Sequence, residues 1–423
     1  MALTSKGLAY LILAYVFIGL ALIFREPSLT AFVVPNAILL LFSSRKPPVK
    51  APRLSVTRRM YPPRSFGSEH IDVTVRIQND SIENIDELQL KDQIPESLKL
   101  ESGSEAVTIS MQHNEQAQLW YRISAPRRGT YVLGPILFRT TDIFGFHESS
   151  GEITVLDDVS VLPKMEKLGA IELRARRVGP WPGSIPSRKI GPGTEFFELR
   201  SYMPGDDLRR INWKASAKSG RLMANEFEGE QVTDVLVVVD CSEGTMSRLF
   251  DFDVAELEVS LAASLCAQLI HQGNRVGLSV YSAVRTWVDP GFGKRQLLRL
   301  VNSLAVVTPG KASVPLKYAV ESVIVSVVPA RSVIIFISPL MGEETVDVIE
   351  DLTTKGYGVI CFTPVAGSRT EGMTDSMILA RRILASERRI KLIDVSKKAR
   401  VIEFSPEIDV RYALRRWRPW RRA

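Results

Sequence analysis

The stretch GTEFFELRSYMPGDDLRRINWKASAKSGRLMANEFEGEQVTDVLVVVD, residues 193–240, joins a turn, a short helix and an apolar strand. Residues 204–205, Pro-Gly, predict the turn, because proline fixes φ at its first central position and glycine tolerates a positive φ at the second. Asp206 or Asp207 then offers a carboxylate to the free N–H groups of the helix that follows. Gly220 can end this helix in the left-handed conformation.

The apolar run 235–239 ends at Asp240 and is followed by a short polar loop that contains Ser242. Such a run is typical of a parallel strand buried on both faces, and the loop at its carboxyl end is the usual place for ligands in α/β folds. We therefore expect the functional surface to lie beside Asp240. Trp213, in the middle of the signature, is expected to anchor the core.

The same stretch resembles the signature of domain-of-unknown-function family fifty-eight. Its bacterial and archaeal members carry a von Willebrand factor A-like domain behind membrane helices and a β-sandwich, and are often encoded beside MoxR-type AAA+ ATPases. The residues that carry the resemblance are Gly193, Phe196, Leu199, Arg200, Tyr202, Pro204, Gly205, Asp206, Asp207, Arg209, Ile211, Asn212, Trp213, Ser216, Ala217, Asp240 and Ser242. The resemblance implies a von Willebrand A-like, Rossmann-like α/β domain over residues 193–410.

Two segments near the N-terminus, residues 7–24 and 27–44, contain no charged residue and are each long enough to span a bilayer with their flanks. We predict a transmembrane helical hairpin within residues 1–50, with a cleaved signal peptide or a re-entrant second segment as alternatives. Basic residues lie before the first segment and after the second, so the positive-inside rule places both ends in the cytoplasm. These residues are Lys6, Arg45, Lys46, Lys50, Arg53, Arg58 and Arg59.

Residues 51–165 are predicted to form an all-β, Ig-like sandwich. Residues 70–77 alternate strictly between apolar and polar, and similar short runs recur between turn residues. We expect this domain to act as a spacer more than as a binding domain. Residues 166–192, rich in glycine, proline and arginine, are predicted to be a linker without regular structure, either solvated or lying against lipid.

After Asp240, apolar strands alternate with amphipathic helices, which predicts a mostly parallel sheet with helices on both faces. The final elements are expected to be a helix over 375–387 and a buried strand over 390–394. The composition fits such a globular protein, since 45% of the residues are hydrophobic and 24% are charged.

The von Willebrand A pattern implied by the resemblance holds a metal with an Asp-x-Ser-x-Ser loop, a threonine before a later helix and an aspartate after the fourth strand. Asp240 and Ser242 match this loop, Gly244 replaces its second serine, Ser313 stands in the place of the threonine and Ser338 in that of the aspartate. Mg²⁺ prefers such oxygen ligands, but only one carboxylate is secure here. We expect no cofactor, or weak Mg²⁺ binding at most, with a loop-capping role for Asp240 as the simpler alternative.

Catalytic patterns are missing from the sequence, so we expect a protein that is not an enzyme. The four histidines have no metal-ligand spacing, and no phosphate-binding loop is present. A metal-dependent hydrolase at the Asp240 loop remains the alternative. It requires a second carboxylate close to Asp240, for which Glu243, Glu343 and Glu344 are the candidates.

Charged residues around the turn form the candidate partner-binding surface: Asp206, Asp207, Arg209 and Arg210. Structural ion pairing within the turn is the competing interpretation. The tail 411–423 carries six arginines with Trp417 and Trp420, a composition suited to anionic lipid at a membrane surface. Nucleic-acid binding through this tail is a further alternative, although no nucleic acid is expected as a partner.

The sequence therefore predicts a multi-pass cell-membrane protein with cytoplasmic soluble domains. Its predicted function is a non-enzymatic protein-interaction module. The resemblance implies a MoxR-type AAA+ ATPase as the partner, in the assembly or maturation of other proteins.

Overall fold

The fold is described from a computed structural model of the 423-residue chain. It describes residues 2–45, 48–67, 69–169, 171, 185–231, 234–242, 249–250, 253–312, 314–330, 332–342, 344–367 and 373–406. The chain forms two compact units, Met1–Leu162 and Pro163–Ala423. We refer to them as the N-terminal unit and the α/β unit.

The N-terminal unit begins with two apolar helices, which confirms that part of the sequence prediction. Helix α1 is Ser5–Phe24 and helix α2 is Val33–Arg45, joined by the 3₁₀ helix Pro27–Phe32. The segments Ser5–Phe24 and Pro27–Arg45 are long and apolar enough to cross a membrane. In the second, the Asn36 amide donates to the Phe32 carbonyl, which satisfies a polar group that lipid would leave without a partner.

The remainder of the N-terminal unit is built from mostly antiparallel sheets. Its strands are β1 (Ala2–Leu3), β2 (Leu54–Tyr61), β3 (Arg64–Phe66), β4 (His70–Asn79), β5 (Ile85–Asp92), β6 (Lys99–Gly103), β7 (Ala106–Met111), β8 (Gln116–Ser124), β9 (Gly129–Leu133), β10 (Ile136–Thr141), β11 (His147–Ile153) and β12 (Asp157–Leu162). The strand orders are β1-β11-β10-β5-β7, β2-β4-β8-β6 and β3-β12-β9, in which β3 and β12 are the parallel pair. In β4, Ile71, Val73, Val75 and Ile77 are buried and their neighbours are not, as the alternation predicted.

Both outer ends of the two helices are fastened to the turn between β10 and β11. Before α1, the Thr4 hydroxyl donates to the Gly145 carbonyl at 2.6 Å and the Thr4 N–H donates to Phe146 at 2.8 Å. Near the end of α2, the buried Ser43 hydroxyl donates to the Asp142 carboxylate at 2.7 Å. Because one turn holds both ends, the two helices run up and down as a hairpin.

A buried ion-pair network lies within the β-rich part of this unit. The Arg58 guanidinium donates two hydrogen bonds to Asp92, at 3.0 and 2.6 Å, and a third to Asp157. The Tyr121 hydroxyl donates to Asp92 at 2.7 Å. The side chains of Arg58 and Asp92 are both fully buried, so each charge depends on the other for its stability.

Replacement of Asp92 should therefore be severely destabilising. Asp92→Ala leaves the Arg58 charge buried without its main partner, and we expect a loss of about 3–5 kcal/mol in the free energy of unfolding, measured by chemical denaturation. Asp157→Ala is the control, because the Asp157 side chain is 35% exposed and its loss should lower stability by only about 1 kcal/mol. Equal losses for the two variants would contradict this assignment.

The α/β unit is organised around a mostly parallel sheet, as the sequence predicted. Its strands are β13 (Ile185–Ser201), β14 (Met223–Gln231), β15 (Asp234–Asp240), β16 (Arg275–Tyr281), β17 (Thr286–Gly291), β18 (Val333–Ile337), β19 (Gly358–Pro364) and β20 (Arg400–Phe404). Its helices are α3 (Trp213–Ser219), α4 (Val254–His271), α5 (Gly293–Ala305), α6 (Leu316–Val327), α7 (Thr345–Thr354) and α8 (Asp375–Lys398). The order in the main sheet is β17-β16-β15-β18-β19-β20, in which only β17 is antiparallel to its neighbour.

Helices cover both faces of this sheet. In β15, Val235, Val237 and Val239 pack with α4 and α5, whereas Leu236 and Val238 pack with α6 and α7 on the other face. Helix α4 is also long and apolar enough to span a membrane, but 61% of it is buried in the unit, so it is a core helix. The strand order reverses between β15 and β18, and such a reversal creates a crevice at the carboxyl ends of the strands.

Two predicted boundaries are wrong. The predicted linker 166–192 contains Leu168 and Ile171, which are buried in the core of the α/β unit, and its last residues begin β13. Burial of these two apolar side chains is favourable, and it fixes the backbone of the segment to which they belong. The predicted strand 390–394 is instead part of α8, which continues to Lys398 before β20 begins. Helical hydrogen bonding prevails there because the buried residues Arg381, Arg388 and Val395 recur every seven positions and lie on one face of a helix.

Candidate functional site

The carboxyl edge of the main sheet brings Asp240 and Ser338 together, as their places after β15 and β18 predicted. The Ser338 hydroxyl donates to Asp240 Oδ2 at 2.8 Å, and the Ser242 N–H donates to Asp240 Oδ1 at 3.2 Å. Asp240 is only 2% exposed and Ser338 is fully buried. Both carboxylate oxygens of Asp240 therefore already accept hydrogen bonds from the loops that surround it.

A second carboxyl group lies at the same edge, and it is one that the sequence analysis missed. Glu258 of α4 is fully buried, and neither carboxylate oxygen has a hydrogen-bond partner within the described residues. Burial raises the pKa of Glu258 well above its ordinary value of 4.5, and the charge of Asp240 raises it further. Asp240 has its own pKa raised by burial, which hydrogen bonds from Ser242 and Ser338 oppose. Glu258 lacks such donors, so of the two groups it is the one whose pKa is raised more strongly.

The periodicity of α4 contained the signal for Glu258. The buried residues of this helix include Val254, Ala255, Leu261 and Ala262, and Glu258 falls on the same stripe at helical spacing. Of the three acids named from the sequence, Glu344 accepts from the Lys317 N–H at 3.2 Å and so caps α6, whereas Glu243 and Glu343 lie outside the described residues.

Arg388 of α8 supplies the cation at this edge. Its Nε donates to the Pro339 carbonyl at 2.9 Å, and its Nη2 donates to the Thr363 hydroxyl at 2.9 Å and to the Pro364 carbonyl. Arg388 is buried, and its charge opposes the rise in the pKa of Glu258. One arginine thus joins the carboxyl ends of β18 and β19 to α8.

The residues of this edge do not fit a tightly held divalent metal. Asp240 offers one carboxylate whose two oxygens are already occupied, and Ser338 directs its hydroxyl hydrogen at that carboxylate. Across the described parts of the chain, no cluster of three or more histidine, cysteine or acidic side chains could hold a metal ion. Ser313 and Gly244 lie outside the described residues, so the weak Mg²⁺ binding expected from the sequence stays a prediction.

The thiols near this edge are also unsuited to chemistry. Cys241, Cys266 and Cys361 are free and buried. Burial raises the pKa of Cys266 and of Cys361 to about 12, which leaves both as neutral thiols, whereas the thiolate is the nucleophilic form.

The turn of the signature segment is held by its own charges. Asp206 accepts two hydrogen bonds from the Arg200 guanidinium, both at 2.7 Å, and one from the Met203 N–H at 2.9 Å. These hydrogen bonds lower the pKa of Asp206 to about 2, and those from Arg200 have the largest effect. Asp207 accepts from the Arg209 N–H at 3.0 Å and so caps the 3₁₀ helix Leu208–Arg210.

The predicted turn is present, but the helix is not continuous from Leu208. Gly205 has a φ of 106°, as its place in the turn requires, and a 3₁₀ turn follows. Helix α3 then starts after Asn212, whose side chain accepts from the Ala215 N–H at 2.9 Å, and ends at Gly220. Asn212 takes the capping role because its side chain is the acceptor placed three residues before a free N–H.

The signature segment also exposes large apolar side chains, which the sequence analysis did not predict. Trp213 is 69% exposed, so its expected role as a core anchor is wrong: it is the first residue of α3, and Ser216 is the residue of that helix that is buried. Others in the segment are 40–66% exposed. These are Leu199, Met203, Leu208 and Leu222. We call these five residues the signature apolar patch.

Residues 198–361 match the family model described as "Protein of unknown function DUF58". The chain contains a DUF58 domain. The signature turn, β15 and the Asp240 edge all fall within this DUF58 match, whereas α8 lies beyond it.

Similar proteins come from several bacteria. An uncharacterised Bacillus subtilis protein, YeaD, is 20% identical over 88% of this chain and 89% of its own length. The uncharacterised Mycobacterium tuberculosis protein Rv1480 is 30% identical over 29% of this chain and 39% of its own length.

Solved structures resemble the chain only weakly. Part of the Escherichia coli alpha-2-macroglobulin matches with 15% identity over 38% of this chain and 22% of that one, at a TM-score of 0.24. Proximal thread matrix protein 1 from the mussel byssus matches with 12% identity over 39% of this chain and 48% of that one, at a TM-score of 0.25. At such scores the likeness carries no functional argument.

The protonated Glu258 should make stability depend on pH. The folded protein keeps this proton to a higher pH than the unfolded chain does, so stability falls as the pH rises above 4.5 through the folded-state pKa. Glu258→Gln removes that fall, and we expect a higher melting temperature than wild type at about pH 8, with little difference at about pH 4. Glu256→Gln, on the same helix, is the control and should retain the wild-type fall. A variant that is less stable than wild type at both pH values would refute the protonated state.

Proposed function

We propose that this protein is a membrane-anchored, non-enzymatic interaction module that docks a partner on the signature segment of its α/β unit. The observation that carries the proposal is the signature apolar patch, five large apolar side chains that are 40–69% exposed. Large apolar side chains clustered in one segment of a soluble surface mark sites of protein association. Tryptophan and arginine are the residues most enriched at the energetic centres of such sites, and Trp213 and Arg209 are both present here.

The charged residues of the turn support this role indirectly. Asp206 is fixed by Arg200 and Asp207 by the 3₁₀ helix, so both preorganise the loop that displays Met203 and Leu208. A loop held in its bound conformation loses less entropy on association. Arg209, which is exposed, is the member of the predicted partner-binding set that we propose attracts an acidic partner.

The partner we propose is an AAA+ ATPase of the MoxR type, acting with this protein in the assembly or maturation of other proteins. This proposal rests on the family resemblance and on the surface just described. The α/β unit is proposed to be of the von Willebrand A type and the β-rich part to be an Ig-like sandwich. A hydrolase is less well supported, because each oxygen of the Asp240 carboxylate already accepts a hydrogen bond and the neighbouring thiols are buried.

The partner surface can be tested with single substitutions that leave the fold intact. Trp213→Ala should weaken binding of a purified MoxR-type ATPase from the same organism by about tenfold or more, measured in detergent with ADP and with a non-hydrolysable ATP analogue. Its unfolding free energy should stay within about 0.5 kcal/mol of wild type, because the ring is exposed.

The matched control for that test is Trp120→Ala, which removes a tryptophan that is 45% exposed in the N-terminal unit. It should leave ATPase binding unchanged. Arg209→Glu should weaken binding more at low salt than at high salt. If the wild-type protein binds the ATPase in neither nucleotide state, the ATPase is not the partner. If wild type and Trp213→Ala bind it equally well, the signature apolar patch is not the binding surface.

We further propose that the helical hairpin spans the cell membrane and that both soluble units are cytoplasmic. Support comes from the two apolar helices, from the single turn that holds their outer ends, and from the basic residues that flank them. The basic tail 411–423 lies outside the described residues, and its contact with anionic lipid stays a prediction.

This orientation can be measured by cysteine labelling, since the native cysteines are buried. A membrane-impermeant maleimide added to intact cells should label Ser28→Cys, between the two helices, and should not label Ser55→Cys, an exposed position after α2. Permeabilised cells should label both variants. The reverse pattern in intact cells would place the soluble units outside.

A further inference from the structure

Helix α8 presents apolar side chains to solvent and arginines to the protein interior. Its four large exposed apolar residues have exposed fractions between 47% and 62%, and they are Leu379, Ile383, Ile390 and Ile393. Arg381 and Arg388 are buried, where they donate to the carbonyls of Leu249 and Pro339. A surface helix ordinarily has the opposite arrangement, with its apolar stripe against the core. We call the exposed stripe the α8 face.

The α8 face follows a heptad repeat. The buried residues Arg381, Arg388 and Val395 are seven apart and correspond to position f, which lies opposite the a/d seam of a coiled coil. With this register Ile383 and Ile390 fall at a. The d positions are Leu379, Ser386 and Ile393. Isoleucine at a with leucine at d favours two parallel strands, and the seam meets this pattern at Ile383, Ile390 and Leu379, whereas Ser386 and Ile393 depart from it.

The charges beside the seam select the same arrangement. Arg382 and Arg389 occupy the two g positions that flank the seam, and Glu387 and Asp394 occupy the e positions five residues after them. In a parallel, in-register pair each g residue meets the e residue of the following heptad on the other helix, so both arginines meet acids. In an antiparallel pair g meets g, which would place arginine against arginine. Asp394 also accepts from Lys397 of its own helix at 2.8 Å and remains 44% exposed.

We propose that the α8 face is a homodimer interface, on which a second copy of this chain packs its own α8 in parallel and in register. The occupant is specified by self-complementarity: four apolar side chains meet their equivalents, and the Arg382–Glu387 and Arg389–Asp394 pairs form twice by symmetry. The helix is already ordered by its buried arginines, so pairing requires little further loss of conformational entropy. This proposal is independent of the ATPase surface, because α8 and the signature segment are separate elements.

Cysteine cross-linking tests the contact directly. Ser386→Cys places a thiol at a central d position, where the two copies should approach within the roughly 7 Å between Cα atoms that a disulfide allows. Oxidation of the full chain in mild detergent should give a covalent dimer. Ser326→Cys, an exposed serine of α6, is the matched control and should stay uncross-linked. The native cysteines are buried, so we expect them to form no cross-link under these conditions.

A charge swap tests the pairing that sets the orientation. Glu387→Arg places arginine opposite Arg382 of the second copy, and Arg382→Glu places two acids together. Each should raise the dimer dissociation constant by about tenfold in sedimentation equilibrium, because two attractive contacts become repulsive. The double variant restores opposite charges and should return to within about threefold of wild type.

The results that would overturn the proposal are distinct. A monomeric wild-type chain together with no Ser386→Cys dimer would show that no second copy binds. Cross-linking of Leu379→Cys to Ile393→Cys in a mixture of the two variants would show an antiparallel pair. If the full chain is monomeric in mild detergent and Ile390→Lys lowers its retention on beads coated with anionic phosphatidylserine, the α8 face binds lipid and not a second copy.

Discussion

The buried guanidinium of Arg388 is the contact on which the carboxyl edge of the sheet depends. It reaches from α8 to the ends of β18 and β19 and hydrogen-bonds Pro339, Thr363 and Pro364. A buried arginine is stable only if its donors are satisfied, so the helix must lie where these three acceptors converge. The same requirement turns Leu379, Ile383, Ile390 and Ile393 outwards. The arginine inside and the isoleucines outside are therefore two consequences of one constraint.

That constraint also shapes the edge at which a ligand would be expected. The buried Arg388 cation and the buried Glu258 carboxyl, whose pKa is raised, lie at this edge, and the Ser338 hydroxyl donates to Asp240. Among the described residues of this edge, Asp240, Ser338 and Arg388 have hydrogen-bond partners, whereas the two Glu258 oxygens have none. The recognition surface that we propose is instead formed by exposed side chains, those of the signature apolar patch.

In the N-terminal unit, two apolar helices are fastened to a domain built from β-sheets. Thr4 and Ser43 meet the turn between β10 and β11, and strand β1 adds to the edge of the sheet beside β11. The Arg58–Asp92 network holds the β-rich part itself. The helices are thus attached through hydrogen bonds at their polar ends, which leaves their apolar surfaces exposed.

The sequence by itself determined the apolar N-terminal helices, the β-rich unit, the mostly parallel α/β unit and the convergence of Asp240 with Ser338. These follow from periodicity and from strand order, which are local or nearly local properties. The turn at Pro204 and the cap at Asp207 could likewise be predicted from residue type.

Only the tertiary structure decided which side of a helix faces inwards. Trp213 was expected inside and is outside, Glu258 was overlooked and is buried, and residues 390–394 were expected to form a strand and belong to α8. Each error has the same physical reason. Hydrophobicity predicts burial only on average, whereas a buried arginine or glutamate is stabilised by partners distant in the sequence, such as the Pro339 carbonyl 49 residues from Arg388, which no local pattern contains.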